Sequence, residues 1–307
     1  MDNKSKRLIW FKGEIVPLDE AKINIMTTTA QYGINVFEGI RCYFNEEQSK
    51  LYSFRLNDHI ERLFQSVKLI NFILNDDITR EYVSNNFKNI IKANNYKEDL
   101  YVKINIFLDD EGSWSALSPI GIVIYAYPKG RVYSDKPGIT CCVSSWERIS
   151  ECVIPPRIKA GANYINSRYA LLEATMNGYD SAIILNRNGK VAEGPGACLF
   201  IVRGGKLVTP PITASILESI TRNSILKIAK SELCLEVEER DIDRTELYIS
   251  DEIFFVGTSV EILPILSVDK YEINGGEVGS ITKELRKLYF QIVRGEKNQY
   301  NNWLSEI

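Results

Sequence analysis

The sequence of 307 residues predicts an α/β protein built as two α+β domains. Strands and two amphipathic helices fill the first third, and beyond residue 138 strands and helices alternate at shorter intervals. The charged stretch PKGRVYSDKPG, with its prolines and glycines, separates the two patterns. The expected division is a small N-terminal domain over 1–128, a connecting loop over 129–137 and a larger domain over 138–307. A chain of this length buries one large or two moderate cores.

The elements follow in order. LIWFKGEIV reads as two strands around a Lys-Gly turn, and helices are expected near 57–72 and 79–94 from their apolar spacing. In LYVKINIFL, Leu100, Val102, Ile104, Ile106 and Leu108 alternate with Tyr101, Lys103, Asn105 and Phe107, which gives a strand one core face and one face offering polar groups. GIVIYAY is its partner. In the second domain GITCCVSS, SAIILN, ACLFIV, LEVEER and EIFFVG read as strands; SRYALLEATMNG, SITRNSILKIAKSEL and the segment after Gly279 read as helices. NRNGK and RGGK are tight turns.

Composition narrows the function. A hydrophobic share of 45%, a charged share of 25% and a net charge of -3 describe a globular protein without the basic footprint of a nucleic-acid binder. No apolar run has the length of a membrane span or a signal peptide core. The cysteines, Cys42, Cys141, Cys142, Cys152, Cys198 and Cys234, have neither CxxC spacing nor a disulfide frame, so a reducing, cytoplasmic setting is expected. The single histidine, His59, lies beside the apolar positions Ile60, Leu63, Phe64 and Val67 and reads as a packing or surface residue. One histidine leaves no Ser/His or Cys/His pair and no His-rich metal site, and no metal is expected.

A different chemistry is available to Lys159 in PRIKAGANYINSRY. A lysine amine forms a Schiff base with a carbonyl, and pyridoxal 5'-phosphate is the best-known carbonyl partner. That cofactor needs a carboxylate for its ring nitrogen, donors for its phosphate and a partner for its ring oxygen. Glu193, before the bend GPG, offers the carboxylate. The helix beginning at Ser219, Ile220 and Thr221 offers backbone N–H groups and a favourable dipole to an anion. Gly257, Thr258 and Ser259 end another strand with donors and hydroxyls, and Arg55 offers a guanidinium fork. Each has an ordinary reading alone, such as an exposed turn glutamate or a capped helix.

As a set, WFKGEIVPLDEAKINIMTTTAQYGINVFEGIRCY, SFRLNDHIERL, VSSWERI, IPPRIKAGANYINS, GYDSAIILNRNGKVAEG, LVTPPIT, ITRNSILKIAK and DEIFFVGTSVEILPI resemble the class IV pyridoxal-phosphate aminotransferases, most closely the branched-chain amino acid type. The resemblance runs through nearly the whole chain. It implies the D-amino acid aminotransferase-like fold, with a small and a larger α/β domain and the cofactor between them. It implies that Lys159 holds the cofactor and moves the proton between the substrate Cα and the cofactor C4′. Glu193 then serves the pyridine nitrogen, Tyr164 the ring oxygen, and Arg55, Ile220, Thr221 and Thr258 the phosphate, Ile220 through its backbone. Tyr32, Phe37, Gly39, Arg41 and Tyr101 fall where the family builds its substrate pocket, and donors near Thr258 and Ser259, with Tyr101, match the site of the substrate α-carboxylate.

Three positions depart from the family's wording. Lys103 replaces an arginine, keeping the charge and losing bidentate recognition; Ala197 and Cys198 replace a Glu-Asn pair near Glu193; and Ser219 replaces a glycine. The resemblance implies transamination between leucine, isoleucine or valine and 2-oxoglutarate, in branched-chain amino acid biosynthesis, by a homodimer or higher homo-oligomer. Lys103 or Arg131 would then meet the acidic partner. The rival readings are a class IV enzyme for a non-standard amino acid, a D-amino acid or an amine, and an aminodeoxychorismate-lyase-type enzyme. A cofactor-binding module without turnover would lack Lys159 or Glu193, and both are present.

Overall fold

The computed structural model describes residues 7–131 and 136–307, so part of the connecting segment expected at 129–137 lies outside the described residues. The chain forms two compact units. Of the described residues, the first contains 7–130 together with 158–162 and 292–307, and the second contains 131, 136–157 and 163–291. The short segment bearing Lys159 and the C-terminus thus pack with the N-terminal unit, although in sequence they stand within 138–307.

The first unit is an antiparallel sheet backed by two helices. Its elements are β1 (Leu8–Phe11), β2 (Glu14–Pro17), α1 (Thr28–Tyr32), β3 (Asn35–Asn45), β4 (Lys50–Phe54), α2 (Leu56–Leu69), α3 (Arg80–Asn94), β5 (Leu100–Leu108) and β6 (Ile120–Pro128). The strand order is β2-β1-β6-β5-β3-β4, completed by a short C-terminal strand, Leu304–Glu306, on β4. The two helices lie close to the predicted ranges. α3 starts where the Thr79 hydroxyl accepts the Tyr82 N–H and stops at Asn95 in the left-handed conformation. The alternation read in β5 is realised: Val102, Ile104 and Ile106 join Val36 and Ile40 of β3, Ile122 and Ile124 of β6, and Ile60, Leu63, Phe87 and Ile90 of the helices in one buried cluster. The opposite face carries Phe37, Gly39 and Arg41 in register with Asn105, Lys103 and Tyr101, and these with Val123, Tyr125 and Tyr127.

The second unit contains β7 (Ile139–Glu147), α4 (Tyr164–Met176), β8 (Ser181–Leu185), β9 (Val191–Glu193), β10 (Cys198–Arg203), β11 (Lys206–Thr209), α5 (Ile220–Glu232), β12 (Val237–Glu239), α6 (Arg244–Leu247), β13 (Glu252–Gly257), β14 (Glu261–Val268), β15 (Tyr271–Glu272) and α7 (Ser280–Val293). Its sheet runs β12-β11-β10-β13-β14-β7-β8-β9, and β9 pairs back onto β10 through Glu193 and Cys198. This closure makes a ring of six strands filled by Ile183, Val191, Leu199, Ile201, Ile253, Phe255 and Ile265. The small residues Ala170 and Ala174 let α4 approach Cys142, Ala182 and Ile184 closely. Among the described residues no helix is long and apolar enough to cross a membrane.

Candidate active site

Lys159 belongs to the first unit, and its backbone is held on both sides. Its N–H donates to the Ser66 hydroxyl of α2 at 3.1 Å, and its carbonyl accepts the Phe37 N–H of β3 at 3.0 Å. Ala160 then bridges Val36, and the Gly161 N–H reaches the Asn35 carbonyl at 3.1 Å. The side chain follows the polar face of the sheet: Lys159 Nζ lies 4.9 Å from the centre of the Phe37 ring, and Lys103 Nζ lies 5.0 Å from the same ring. A cation over a ring face gains about 0.5–2 kcal/mol, so Phe37 steers both ammonium groups.

Around them the face is aromatic. Tyr101 covers Gly39 so closely that a Cβ there would overlap the tyrosine hydroxyl, which explains the glycine. The Tyr101 ring packs 5.8 Å from Tyr127, which stacks in turn on Tyr125. Arg41 is fully buried and its guanidinium donates to the carbonyls of Lys129 and of Gly130, the latter at 2.9 Å, so it clamps the end of β6. Tyr32 ends α1 half exposed, edge-on to Trp114. Arg55 is buried at the start of α2 in the left-handed conformation; Asp58 takes its Nε and Nη2, each at 2.9 Å, and its guanidinium lies 5.2 Å from the Trp303 ring centre.

In the second unit Glu193 is buried at the ring closure. Arg148 places Nε and Nη2 each 2.9 Å from its Oε1, and the Leu217 N–H lies 3.4 Å from both oxygens. Arg148 is held in turn by Asn166 of α4, whose Oδ1 accepts Nη1 at 3.0 Å. Cys198 faces Glu193 with Sγ 3.7 Å from Oε2; burial and then the Glu193 charge push this thiol up to about 12, so it remains a donor to the carboxylate. Arg148 and Asn166 were not singled out in the sequence. Arg148 stands in the quoted VSSWERI, but its partner lies 45 positions away and is brought to it by the pairing of β7 with β8 and of β8 with β9.

α5 presents its N-terminus through buried Ile220 and Thr221. The Ser219 hydroxyl accepts the Arg222 N–H at 3.1 Å, so this cap serves the third helical amide rather than the two expected to meet phosphate. The Arg222 side chain turns back to Thr209, Pro210 and Glu239 and braces the first turn. Thr258 and Ser259 occupy the turn between β13 and β14, half-buried, ahead of Glu261, which holds a positive φ of 61°. Tyr164 opens α4, partly exposed.

The family model for class IV amino-transferases matches residues 35–268. The chain belongs to the class IV aminotransferases. A relative of this aminotransferase in Aquifex aeolicus (strain VF5), named a probable branched-chain-amino-acid aminotransferase, is 42% identical over 97% of this chain and 96% of that protein. The crystal structure of a branched-chain amino acid aminotransferase from Thermobaculum terrenum in its PLP form superposes with a TM-score of 0.92 at 41% identity, covering 99% of each chain. A branched-chain aminotransferase from the thermophilic archaeon Thermoproteus uzoniensis, crystallised with norvaline, superposes with a TM-score of 0.91 at 39% identity, covering 97% of this chain and 98% of that one.

This class IV aminotransferase is a pyridoxal-phosphate-dependent transaminase with the α/β fold of its relatives. Its groups fit that cofactor chemically. Lys159 carries an amine of the kind an aldehyde would take, and Glu193 is a buried carboxylate of the kind a ring nitrogen would need. The α5 N-terminus and the Arg55 guanidinium suit a phosphate dianion.

Proposed function

We propose that the protein transfers an amino group between an L-branched-chain amino acid, leucine, isoleucine or valine, and 2-oxoglutarate. The observation that carries the reading is the polar face of the first sheet: an aromatic wall of Phe37, Tyr101, Tyr125 and Tyr127 with the Lys103 ammonium set on it and Lys159 beside the same ring. The wall suits an apolar side chain, and Lys103 gives an acidic side chain a point charge. Relatives bearing the branched-chain name over nearly the full length support this choice over a D-amino acid, an amine or a lyase reaction.

Pyridoxal phosphate supplies an electron sink for the electrons released at the substrate Cα. Lys159 would hold it through its side-chain amine, and the same Nζ would take up and give back the proton of the substrate Cα. Glu193, fixed by Arg148, would accept the hydrogen bond of the ring nitrogen, Tyr164 would donate to the ring oxygen, and Arg55, the Ile220 amide, Thr221 and Thr258 would hold the phosphate. Tyr101 and the donors at Thr258 and Ser259 orient the α-carboxylate, and Tyr32, Phe37, Gly39 and Arg41 shape the pocket.

A homodimer fits α4. Ile165, Tyr169, Leu172 and Met176 recur on one outward stripe, with Met176 86% exposed and Trp146 stacked on Tyr169 at 4.8 Å. A helix apolar on both faces calls for a second surface to bury the outer one, and a two-fold axis lets the stripe meet itself. The cysteines, all free among the described residues, suit the cytoplasm.

The test is turnover of purified protein with 2-oxoglutarate against L-amino acids, D-amino acids and amines. Leucine, isoleucine and valine should be consumed, Lys159→Ala should abolish the visible absorbance of the bound cofactor, and Lys103→Met should impair 2-oxoglutarate more than leucine. No turnover of any branched-chain amino acid refutes the reading.

A further inference from the structure

Glu38 breaks the pattern of its sheet. Even-numbered residues of β3 face the apolar core, and Glu38 stands there fully buried between Val36 and Ile40 and opposite Ile104. α2 answers it. Arg62 donates through Nε to Oε1 at 2.6 Å and through Nη2 to Oε2 at 2.9 Å, and His59 places Nδ1 2.8 Å from Oε2. Burial alone would raise the carboxyl, but Arg62 and His59 hold it well below the usual carboxylate range. Arg62 already balances that charge, and burial keeps the His59 imidazole below its ordinary value. A buried ion pair is a costly way to hold a core that apolar side chains would fill, so its directional bonds call for a use.

The use lies one turn further along α2. His59, Arg62 and Ser66 stand at helical spacing on one face, and the buried Ser66 hydroxyl takes the Lys159 N–H. The Lys159 carbonyl is taken by Phe37, the residue before Glu38 on β3. The two polar backbone groups of Lys159 are therefore held by the two elements that the Glu38 cluster fastens together.

We propose that Glu38, His59 and Arg62 are positioning residues that fix α2 against β3 and thereby set Lys159 for covalent attachment and proton transfer. This rests on the reading of Lys159 as the cofactor anchor. The cluster reaches the Lys159 backbone through Ser66 and Phe37, and the Lys159 charge also bears on His59, so loss of the cluster displaces the amine without removing it.

The experiment follows the rate at which borohydride traps pyridoxal phosphate on the Lys159 peptide of the full chain, read by mass spectrometry without amino donor. Melting curves fix a temperature at which each variant is folded, and kcat and KM for leucine are measured alongside. His59→Leu, which removes the donor, should slow trapping and lower kcat by roughly 10- to 100-fold, with KM little changed. His59→Asn, which keeps a donor near Nδ1, should recover most of the loss. Ser66→Ala should reproduce the defect with the cluster intact, and the double variant His59→Leu/Ser66→Ala should lose little more than either alone. Folded Ser66→Ala and His59→Leu proteins trapping at the wild-type rate would overturn the proposal, as would equal defects in the Asn and Leu variants. A wild type never labelled at Lys159 would sink the anchor reading and this proposal with it; a labelled wild type with unaffected variants sinks the proposal alone.

Discussion

Gly39→Ala tests whether the polar face of the first sheet is as tightly fitted as its contacts indicate. A Cβ at position 39 would overlap the Tyr101 hydroxyl and stand 2.5 Å from Cζ, where ordinary contact begins at 3.4 Å, so the ring must move by at least the difference, 0.9 Å. It has little room, because Tyr127 packs 5.8 Å away and Lys129 Nζ lies 4.5 Å from the ring centre. An O–H···O bond spans only about 2.5–3.0 Å, so a shift near 1 Å breaks any contact between the hydroxyl and a substrate carboxylate. Overpacking should cost about 1–3 kcal/mol of stability, and misplacement should lower kcat/KM for leucine by up to roughly 100-fold. Urea denaturation and steady-state kinetics measure the two effects, and Gly39→Ala/Tyr101→Phe should regain part of the stability and none of the activity. A Gly39→Ala enzyme with wild-type stability and kcat/KM would show that Tyr101 is not held where the argument needs it.

Other perturbations reach different parts of the molecule. Arg148→Gln leaves the buried Glu193 carboxylate without its counter-charge and should cost about 3–5 kcal/mol in urea denaturation; a loss below about 1 kcal/mol would mean that Cys198 and the Leu217 amide suffice. Stability should fall on acidification in two stages. His59 is held below its ordinary value in the fold, so the unfolded chain gains a proton first as pH drops through about 6.5. Glu38 is held low by Arg62 and His59, so its contribution, complete above the ordinary carboxylate value near 4.3, is lost below it. Melting temperature against pH should therefore be flatter between about 5 and 6.5 in His59→Asn than in the wild type, and identical slopes would contradict a buried neutral imidazole. For the proposed homodimer, Leu172→Glu, placing a charge in the outer stripe of α4, should shift sedimentation from dimer to monomer; an unchanged dimer would put the interface elsewhere, and a monomeric wild type would refute the dimer.

Much of the architecture was legible because local pattern and tertiary demand agree. The period-2 alternation of β5 and the apolar spacing of α3 named elements that the fold retains. What stayed hidden depends on closure. Glu193 meets Cys198 because β9 folds back on β10, and Arg148 meets Glu193 because β8 sets the end of β7 beside β9. The packing of 158–162 with the first unit is equally invisible to local pattern, since its hydrogen bonds go to Ser66 and Phe37, far away in sequence. His59 illustrates the limit differently. Its neighbours left packing and surface both open and burial selects packing, but the hydrogen-bond partner that gives the packing direction is Glu38, which alternation alone would have placed in a core reserved for apolar side chains.

That partner also bears on why α2 is fastened by charge. The helix begins at Arg55 and carries Ser66 eleven positions on, roughly 16 Å along its axis at 1.5 Å per residue. The Arg62 and His59 bonds to Glu38 fall between these two points. Apolar packing on Ile60 and Leu63 supplies affinity for the sheet but little direction, and a helix so held tolerates small slides and rotations with modest loss. A two-pronged charge-assisted bond from Arg62 and a second from His59 do not, because each fails within a fraction of an ångström or a few tens of degrees. Any slide of α2 would carry Arg55 and the Ser66 hydroxyl together, moving the guanidinium proposed for the phosphate and the amide support of Lys159 in one step. A buried carboxylate on β3 is the kind of contact that resists that motion, and its placement next to Phe37, which holds the other side of Lys159, ties both supports of the lysine to one reference point.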